Sequence, residues 1–415
     1  MMTFLEQYEF VFTVLTPVHI GCGQDYEPTN YVIKDNVLYH FDTIPLAKIL
    51  TEKEHEELAK IVDRKDALLE IQRYISKLSD KIIALPECHK VNVHSETSSL
   101  YQKRLGKVAQ TQGAGHKAHN VVNNLEIERT AYASGTGLPV LYGSSIKGSI
   151  RTALSNYYHK KININQLTNR EFERKNAELQ QTYFGKFSTD LMRFLKIGDA
   201  RYQSAQLKPD EKATCVKFQV NHKKHPSKFE SKAGLSVLIE CIQPKVKAFR
   251  SRVVLEKPAA LYQEVPQHQL TTGLPPKEKL LTMETLVKAC NDFYCPLLEK
   301  ELDILETQKL AIGYVPNQGM ARWSIDFMRK LLLEHTGPFG QLIQKNEGFL
   351  LRIGKHSGAE AITIEGARHI KIMKGKNNPP EYKDKATTIW LAASQPKASA
   401  ELEPFGWVFV QVIKK

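Results

Sequence analysis

Residues 138–154, LPVLYGSSIKGSIRTAL, contain the residue types best suited to binding an anion. A short β-rich run ends at Gly143, two serines follow, and a helix is predicted to begin near Ile146. Backbone N–H groups at the start of a helix favour an anion, and Lys147 and Arg151, one turn apart, add positive charge. The segment therefore predicts a phosphate contact. The simpler alternative is a turn that starts a helix and carries two solvated cations.

Two catalytic motifs of similar composition do not match this segment. A Walker A loop needs GxxxxGK[ST], but Gly148 is followed by Ser149 and Ile150. A nucleophile elbow needs GxSxG, but Lys147 stands in the place of its second glycine. The segment therefore supports neither ATP hydrolysis nor serine hydrolysis.

Two further glycine turns, at 16–23 (TPVHIGCG) and 351–358 (LRIGKHSG), carry histidine and cationic side chains. Glycine lets the backbone approach a ligand closely. His19 could contact a phosphate or act as an acid–base group, although a lone histidine beside a turn is more often structural. Three glycine-and-cation turns in one basic chain favour an anionic ligand over solvated loops.

The periodicity of apolar residues predicts the elements that must position these turns. Alternating apolar and aromatic residues indicate a strand at 8–15, and a hairpin at 31–41 turns at 34–36. Helical spacing indicates one helical hairpin between 45 and 84. In the second half, strands are predicted at 234–242, 348–353, 361–373, 387–392 and 406–413, and helices at 280–305 and 323–333. The second half repeats the first in outline, which predicts an α+β fold of two domains that meet near 205–233.

Residues 101–119, YQKRLGKVAQTQGAGHKAH, interrupt this pattern. They carry four lysines or arginines, no acidic residue, three glycines and three glutamines. Because such a composition buries little apolar surface, we predict a basic loop inserted in the first domain. A second basic stretch, at 211–257, holds eleven lysines or arginines against four acidic residues.

The whole chain is basic: its 415 residues include 58 lysines and arginines and 45 acidic residues, a formal charge of +13. A basic protein usually meets nucleic acid, an acidic protein or a membrane surface. No apolar run approaches the roughly 18 residues of a membrane span, and the N-terminus lacks the pattern of a signal peptide. The six cysteines form no CxxC pair, which fits a reducing cytosol. We therefore expect a cytoplasmic protein with no membrane partner.

Metal and redox cofactors have little support in the sequence. Cys290 and Cys295 do not share a helical face, and no histidine completes a zinc site with them. His116 and His119 lie in the basic loop and are predicted to be solvated. No cluster of three carboxylates indicates Mg²⁺-dependent nuclease chemistry. The sequence therefore predicts neither a metal nor a cofactor.

Four segments carry a family resemblance: TPVHIGCG (16–23), YGSSIKGSIRTAL (142–154), LRIGKHSGAEAITIEG (351–366) and PFGWVFV (404–410). Together they resemble the RAMP superfamily of CRISPR proteins, and their order and spacing are most similar to the subunit-five family of type III-A (Csm) effector complexes. GSSIKG is shared across the superfamily, whereas LRIGKHSG and PFGWV are more specific. No RNP1 sequence of the ordinary RRM type is present, so stacking of bases on sheet aromatics cannot be assumed.

The resemblance implies an α+β fold of two tandem RRM-like (ferredoxin-like) RAMP domains with helical insertions. The N-terminal domain would span 1–220 and contain the helical hairpin and the basic loop, and the C-terminal domain would span 221–415. The resemblance also implies a non-catalytic RNA-binding subunit of a type III-A CRISPR (Csm) ribonucleoprotein, which binds and caps the crRNA 3′ region and takes part in crRNA maturation for antiviral defence. Its partners would be the crRNA, the backbone and small subunits of the Csm complex and, indirectly, target RNA.

Matched to this sequence residue by residue, the RNA-binding positions that the resemblance implies lie in the glycine-rich loop and in the two other turns. Backbone N–H groups would lie against RNA phosphates while the cations neutralise charge, so sequence selectivity should be low. The resemblance implies no catalytic residue. The expected RNA-binding residues are His19, Gly21, Gly23, Gly143, Ser144, Ser145, Lys147, Gly148, Arg151, Arg352, Lys355 and His356.

The alternative is a metal-independent RAMP endoribonuclease that acts on precursor crRNA, since some RAMP relatives cleave RNA with a histidine. His19 or His356 would deprotonate a 2′-OH beside a cationic loop that stabilises the phosphorane. Neither histidine has an evident paired acid in the sequence, which favours the binding role. A protein-binding adaptor without RNA contact would suit the long helices but leaves the glycine turns unexplained.

Overall fold

A computed structural model of the chain describes residues 4–64, 67–112, 119–122, 125–161, 178–208, 211–225, 237–257, 280–308, 310, 325–334, 336–374, 378–396 and 402–415. The strands are β1 (Leu5–Val14), β2 (Gly21–Tyr26), β3 (Tyr31–Lys34), β4 (Val37–His40), β5 (His89–Asn92), β6 (Val108–Gln112), β7 (His119–Val122), β8 (Ile127–Thr130), β9 (Val140–Leu141), β10 (Leu195–Ile197), β11 (Ala200–Tyr202), β12 (Thr214–Lys223), β13 (Val237–Ile242), β14 (Lys245–Glu256), β15 (Gly348–Arg352), β16 (Ile370–Ile372), β17 (Glu381–Lys383), β18 (Thr388–Ala393), β19 (Glu403–Pro404) and β20 (Trp407–Lys414). The α-helices are α1 (Thr43–Ile49), α2 (Glu52–Val62), α3 (Ala67–Lys77), α4 (Ser79–Ile83), α5 (Ser95–Arg104), α6 (Gly143–His159), α7 (Met283–Thr307), α8 (Ile325–Met328) and α9 (Pro338–Gln344). This mixture of strands and helices confirms the expected α+β class.

The first sheet has seven strands in the order β15-β20-β1-β14-β11-β9, with β10 also paired to β14. β1 lies in its middle, antiparallel to β14 on one side and to β20 on the other. The second half of β1 is buried without interruption, and Phe10, Phe12 and Val14 have no exposed surface. Such continuous burial is typical of a strand covered on both faces. The strand predicted at 8–15 is confirmed.

Two helices pack together on the first sheet. α6 contacts α7, and both contact β15. The apolar residues of α6 recur at helical spacing, so that Ile146, Ile150 and Leu154 are fully buried on one face. α7 begins after Thr282, whose hydroxyl accepts a hydrogen bond from a backbone N–H of the first turn. The long helix predicted at 280–305 is confirmed.

The second sheet has nine strands: seven follow the order β2-β8-β13-β12-β5-β4-β3, and β18 and β19 extend it from β12. β12 pairs with β13 along one edge, while β5 and β18 share its other edge. The hairpin of β3 and β4 turns at Asp35 and Asn36, whose φ angles are 51° and 58°. Two consecutive positive φ angles are characteristic of a type I′ hairpin turn. The hairpin predicted at 31–41 is confirmed.

Both halves of the chain contribute strands to both sheets. β1 lies between β14 and β20, which come from the second half, and β12 pairs with β13 and β18. One large apolar core runs through both sheets and through α6 and α7. The predicted boundary between 1–220 and 221–415 falls inside β12, and this division stays a prediction.

Four helices, α1 to α4, form the insertion between β4 and β5, where the sequence predicted a single hairpin at 45–84. α2 and α3 pack against each other as a hairpin, and two short helices flank it. α2 starts with a capping box in which Thr51 and Glu54 exchange hydrogen bonds. A small core of its own, which includes Tyr74 and Ile82, joins the insertion to β3.

The prediction of a basic loop at 101–119 is wrong for the residues of this segment that the structure describes. Residues 101–104 end helix α5, and Tyr101 is buried in the large core. Gly106 is also buried, and its N–H donates to a glutamine side chain of α3. β6 and β7 then pair as a small antiparallel sheet. The aromatic side chain and these backbone hydrogen bonds order the segment despite its charge; 113–118 lie outside the described residues.

Two further predictions need correction. The strand predicted at 361–373 is wrong for most of its length, because a 3-10 helix occupies Ala359–Ile362 and only β16 is extended. The helix predicted to begin near Ile146 begins at Gly143, so the GSSIKG segment forms helical turns and not a loop. Strands predicted at 234–242, 348–353, 387–392 and 406–413 are present in the described residues as β13, β15, β18 and β20. In the region predicted as a helix at 323–333, the described residues form α8 and a π-helical turn.

The two glycines of α6 should respond in opposite ways to alanine. A Cβ at Gly143 would overlap the carbonyl oxygen of Ile197, whereas a Cβ at Gly148 meets nothing within 4 Å. We expect Gly143→Ala to lower the free energy of unfolding by about 1–3 kcal/mol, and Gly148→Ala to raise it by up to about 1 kcal/mol through helix propensity. Urea denaturation followed by circular dichroism measures both. Equal effects of the two substitutions would contradict the packing described here.

Candidate functional site

The three glycine turns singled out in the sequence meet at one cleft with a volume of about 470 Å³. One face of α6 forms a wall, the start of β2 forms a second, and the loop that follows β15 forms a third. The lining residues are Ile20, Gly21, Ser145, Gly148, Ser149, Thr152, Arg352, Gly354, Lys355, Ser357 and Ile362. Segments more than 300 positions apart in the chain therefore share one concave surface.

Backbone contacts fix how these turns approach one another. The N–H of Lys355 donates to the carbonyl oxygen of His19 at 3.0 Å. Gly354 has a φ of +81°, and a Cβ there would overlap the same carbonyl group, so glycine is required for the approach. On the α6 side, the Ser149 hydroxyl donates to the carbonyl oxygen of Arg352 at 2.9 Å. The walls of the cleft are thus joined by hydrogen bonds to two backbone carbonyl groups.

His19 lies beneath the cleft and is only 2% exposed. Its Nδ1–H donates to the carbonyl oxygen of Glu240 at 2.8 Å, and its Nε2 lies 4.0 Å from a carboxylate oxygen of Glu128. Burial lowers the pKa of His19 below its ordinary value. Gly21 lines the cleft, whereas Gly23, with a φ of +75°, does not.

Polar side chains at the edge of the cleft contact Glu128. Glu128 forms an ion pair with Lys355 and accepts a hydrogen bond from the Gln219 amide at 3.3 Å. Burial raises the pKa of Glu128, but the hydrogen bond and the charge of Lys355 outweigh burial and lower it. The amide oxygen of Gln219 is hydrogen-bonded to Nε2 of His356. The His356 ring also stacks on Trp390. The sequence prediction included neither Glu128 nor Trp390.

The guanidinium of Arg352 extends into the core. Arg352 is 5% exposed, forms an ion pair with Glu301, and donates through Nε to the carbonyl oxygen of Phe405 at 2.9 Å. The second carboxylate oxygen of Glu301 accepts the indole N–H of Trp407 at 2.9 Å. A role for Arg352 in neutralising RNA phosphate stays a prediction, and it would require this guanidinium to leave Glu301.

Lys147 and Arg151 lie on the side of α6 that faces away from the cleft. Lys147 donates to the carbonyl oxygen of Leu195 at 2.8 Å, and burial and nearby Lys196 lower its pKa. Arg151 forms an ion pair with Asp190 at 2.9 Å and also lies over an aromatic ring. The α6 residues that line the cleft are three, four and seven positions apart and therefore share one face of the helix, and neither cation lies on that face.

The first turn of α6 already holds a carboxylate. The N–H of Gly143 donates to Oδ1 of Asp199 at 2.7 Å, so a side chain of this chain occupies part of the position expected for an anion. Gly143 is buried, and neither it nor Ser144 lines the cleft. Ser145 does line it, and no described hydrogen bond engages its hydroxyl. The anion site predicted at the helix start stays a prediction, and the N–H of Gly143 is already engaged by Asp199.

A buried polar network supports the floor of the cleft from the second sheet. Glu240 has no exposed surface and accepts hydrogen bonds from the Tyr26 and Tyr132 hydroxyls and from the N–H of Thr130. Burial and the carboxylate of Glu240 raise the pKa values of both tyrosines. The network combines residues from three distant segments, so no periodic pattern in the sequence indicates it.

Neither a metal site nor a membrane span is evident in the part of the chain that the structure describes. Within it, His, Cys, Asp and Glu side chains do not gather in groups of three that could hold a metal ion. Every described helix is too short or too polar to cross a membrane.

A family model and a curated relative both match this chain. The RAMP superfamily matches residues 11–315, more than half of this chain. The CRISPR system Cms protein Csm5 of Methanocaldococcus jannaschii is 23% identical over 295 residues, which cover 70% of this chain and 62% of that protein. The chain thus matches less than two thirds of the relative's length.

Two solved structures align with this chain at low sequence identity. A chain of the cryo-EM structure of a Csm-crRNA-target RNA ternary complex from a type III-A CRISPR-Cas system is 17% identical, with a TM-score of 0.53, and the match covers 97% of this chain and 100% of that chain. The crystal structure of T. onnurineus Csm5 is 16% identical, with a TM-score of 0.49 and coverage of 96% and 99%. The first of these shows a shared fold over almost the whole chain.

Removal of the carboxylate beneath Arg352 should destabilise the protein strongly. Glu301→Ala leaves a buried guanidinium without its counter-ion, and we expect the free energy of unfolding to fall by about 3–5 kcal/mol. Lys34→Ala is the matched control, because the Lys34–Asp80 pair is largely exposed and should contribute little. Chemical denaturation compares the two. A loss for Glu301→Ala no larger than that of the control would show that the buried pair does not stabilise the site.

Acid should destabilise the fold through two half-buried histidines. Burial lowers the pKa of His356 to about 4 and, together with Arg129, that of His40 to about 4, from 6.5. Below pH 6.5 the unfolded chain binds protons that the folded chain does not, so stability falls as the pH decreases from 6.5 towards 4, by about 1.4 kcal/mol per pH unit for each histidine. Denaturation at several pH values measures this slope. His356→Gln should reduce the slope by the contribution of one histidine, about 1.4 kcal/mol per pH unit. An unchanged slope would contradict the burial of His356.

Proposed function

Because the chain belongs to the RAMP superfamily, we propose that it is a non-catalytic RNA-binding subunit of a type III-A CRISPR (Csm) ribonucleoprotein. In this proposal it binds and caps the crRNA 3′ region and takes part in crRNA maturation for antiviral defence. It assembles with the backbone and small subunits of the Csm complex in the cytoplasm and meets target RNA only indirectly. One observation carries the proposal: three glycine turns from distant parts of a basic chain converge on one cleft.

The fold proposed for this role is a pair of tandem RRM-like domains, one in each half of the chain. The similarity to a chain of a type III-A Csm complex over almost the full length supports it. The two domains would share strands across both sheets, since β1 pairs with β14 and β20. The cleft lies where segments of both halves meet, which is a common position for a ligand site.

The proposed contact is between the RNA backbone and the surface around Gly148. A Cβ at this position has open space around it, so a phosphate can approach the helix backbone closely. Ser145 supplies a hydroxyl, and Lys355 supplies a cation at the edge, where 42% of its side chain is exposed. Lys147 and Arg151 would raise the positive potential at longer range. Contacts of this kind position RNA without reading its bases, so selectivity is low.

The rival function, an endoribonuclease that uses His19 or His356, has weaker support. A general base must come within hydrogen-bond distance of the 2′-OH that it deprotonates. His19 is 2% exposed and lies under the backbone contact between Lys355 and its own carbonyl group. His356 has a pKa lowered to about 4 by burial and by Lys355, and its ring is stacked. Both observations favour a structural role for the two imidazoles.

A charge placed in the cleft tests the proposal. Gly148→Asp sets a carboxylate against the proposed phosphate position, and we expect affinity for a single-stranded RNA of about a dozen nucleotides to fall at least about tenfold. Gly148→Asn is the matched control, because it adds the same volume without charge. Fluorescence anisotropy at two salt concentrations measures both variants. The difference between them should shrink at high salt, and equal affinities at low salt would contradict the proposed contact.

A second measurement separates binding from catalysis. The chain is incubated with precursor crRNA in the presence of a metal chelator, and the 3′ ends are sequenced. The proposal expects no cleavage by the unaltered chain. Cleavage that disappears in His19→Gln or His356→Gln, while RNA binding persists, would replace the proposed function with the endoribonuclease.

A further inference from the structure

Trp390 is a large apolar side chain left exposed on the second sheet. It lies on β18, directly opposite Asn221 of β12, and 39% of its surface is accessible. In contrast, Trp407 is fully buried in the core. Trp is enriched among the residues that dominate binding at protein interfaces.

His356 fixes the orientation of this indole. The imidazole stacks on the Trp390 ring with a centroid distance of 4.8 Å and an interplanar angle of 25°. His356 itself has a φ of 62°, unusual for a residue other than glycine, and Nε2 meets the Gln219 amide. Burial and Lys355 lower the pKa of His356 to about 4, so the imidazole is neutral near pH 7. One side of the indole is thus supported by a flat, uncharged ring.

Two lysines lie next to this pair of rings, one by its position in the sequence and one by the register of the strands. Lys355 precedes His356 in the loop and lines the cleft. Lys223 is exposed and lies opposite Thr388, two positions along the strands from the Asn221–Trp390 pair, and therefore on the same face of the sheet. None of the ion pairs between described residues involves Lys223. Two positions along a strand span about 7 Å, a distance that suits a cation beside a stacked base.

We propose that Trp390 is a stacking platform for one nucleobase of the single-stranded RNA whose backbone lies in the cleft. The proposal rests on the proposed function and adds a specific contact to it. The RNA backbone would leave the cleft past Lys355, one base would stack on the exposed indole, and Lys223 would contact the following phosphate. Stacking tolerates any base, because every base has a π face. The sheet would then contribute base contacts even though no RNP1 sequence is present.

Fluorescence and affinity test the stacking directly. The chain has three tryptophans, Trp323, Trp390 and Trp407. In a Trp323→Phe background two remain, of which Trp390 is exposed and Trp407 is buried. In this background a short oligoadenylate should quench the emission, and a backbone of the same length without bases should not. Trp390→Ala should weaken oligoadenylate binding about tenfold or more, Trp390→Phe should weaken it less, and neither should change binding of the base-free backbone.

Tyr382→Ala is the matched control. Tyr382 is also 39% exposed and also stacks on a histidine, His369, at 4.1 Å, but it belongs to the separate sheet of β16 and β17. The proposal predicts unchanged affinity for this variant. It is overturned if Trp390→Ala binds oligoadenylate normally, if it weakens the base-free backbone equally, or if Tyr382→Ala causes the same loss. If Trp390→Ala binds RNA normally while Gly148→Asp does not, only the stacking proposal is refuted. If the unaltered chain itself does not bind RNA, the proposed function is refuted as well.

Discussion

Two backbone segments touch where the loop after β15 passes the carbonyl oxygen of His19. Glycine is required at Gly354, because any side chain would overlap that carbonyl group, and the next N–H donates to it. This contact joins the N-terminal turn to the C-terminal loop, and it determines where Lys355 and His356 lie. The third wall of the cleft depends on it as well, since the hydroxyl of Ser149 binds the carbonyl oxygen of Arg352 just before the loop.

The charges of the site are more balanced than those of the chain. The formal charge of the chain is +13, yet Arg151, Arg352 and Lys355 each form an ion pair with a carboxylate. Such pairs hold the cations in fixed positions at the expense of local positive charge. An RNA chain would therefore be held by shape, by backbone and hydroxyl groups and by stacking, with the net charge acting at longer range.

Local sequence predicted the elements well where one periodicity dominated. β1, the hairpin of β3 and β4 and α7 each follow from alternation, turn residues or helical spacing, and the glycine turns identified the cleft. Residues 101–104 were misassigned because composition outweighed one buried aromatic residue, Tyr101. The start of α6 was misplaced because glycine disfavours helices in general, whereas Gly143 is required there by the neighbouring backbone. The partners of the cations could not be predicted, since Glu128, Asp190 and Glu301 come from segments far apart in sequence.

Hydrogen exchange of the full chain, with and without a short single-stranded RNA, tests whether the three turns form one RNA-binding surface. We expect bound RNA to slow exchange together in the segments around Gly21, Gly148 and Gly354, and to leave the insertion of α1 to α4, which has its own core, unaffected. Slower exchange that is confined to other parts of the chain, with all three turns unchanged, would contradict this expectation.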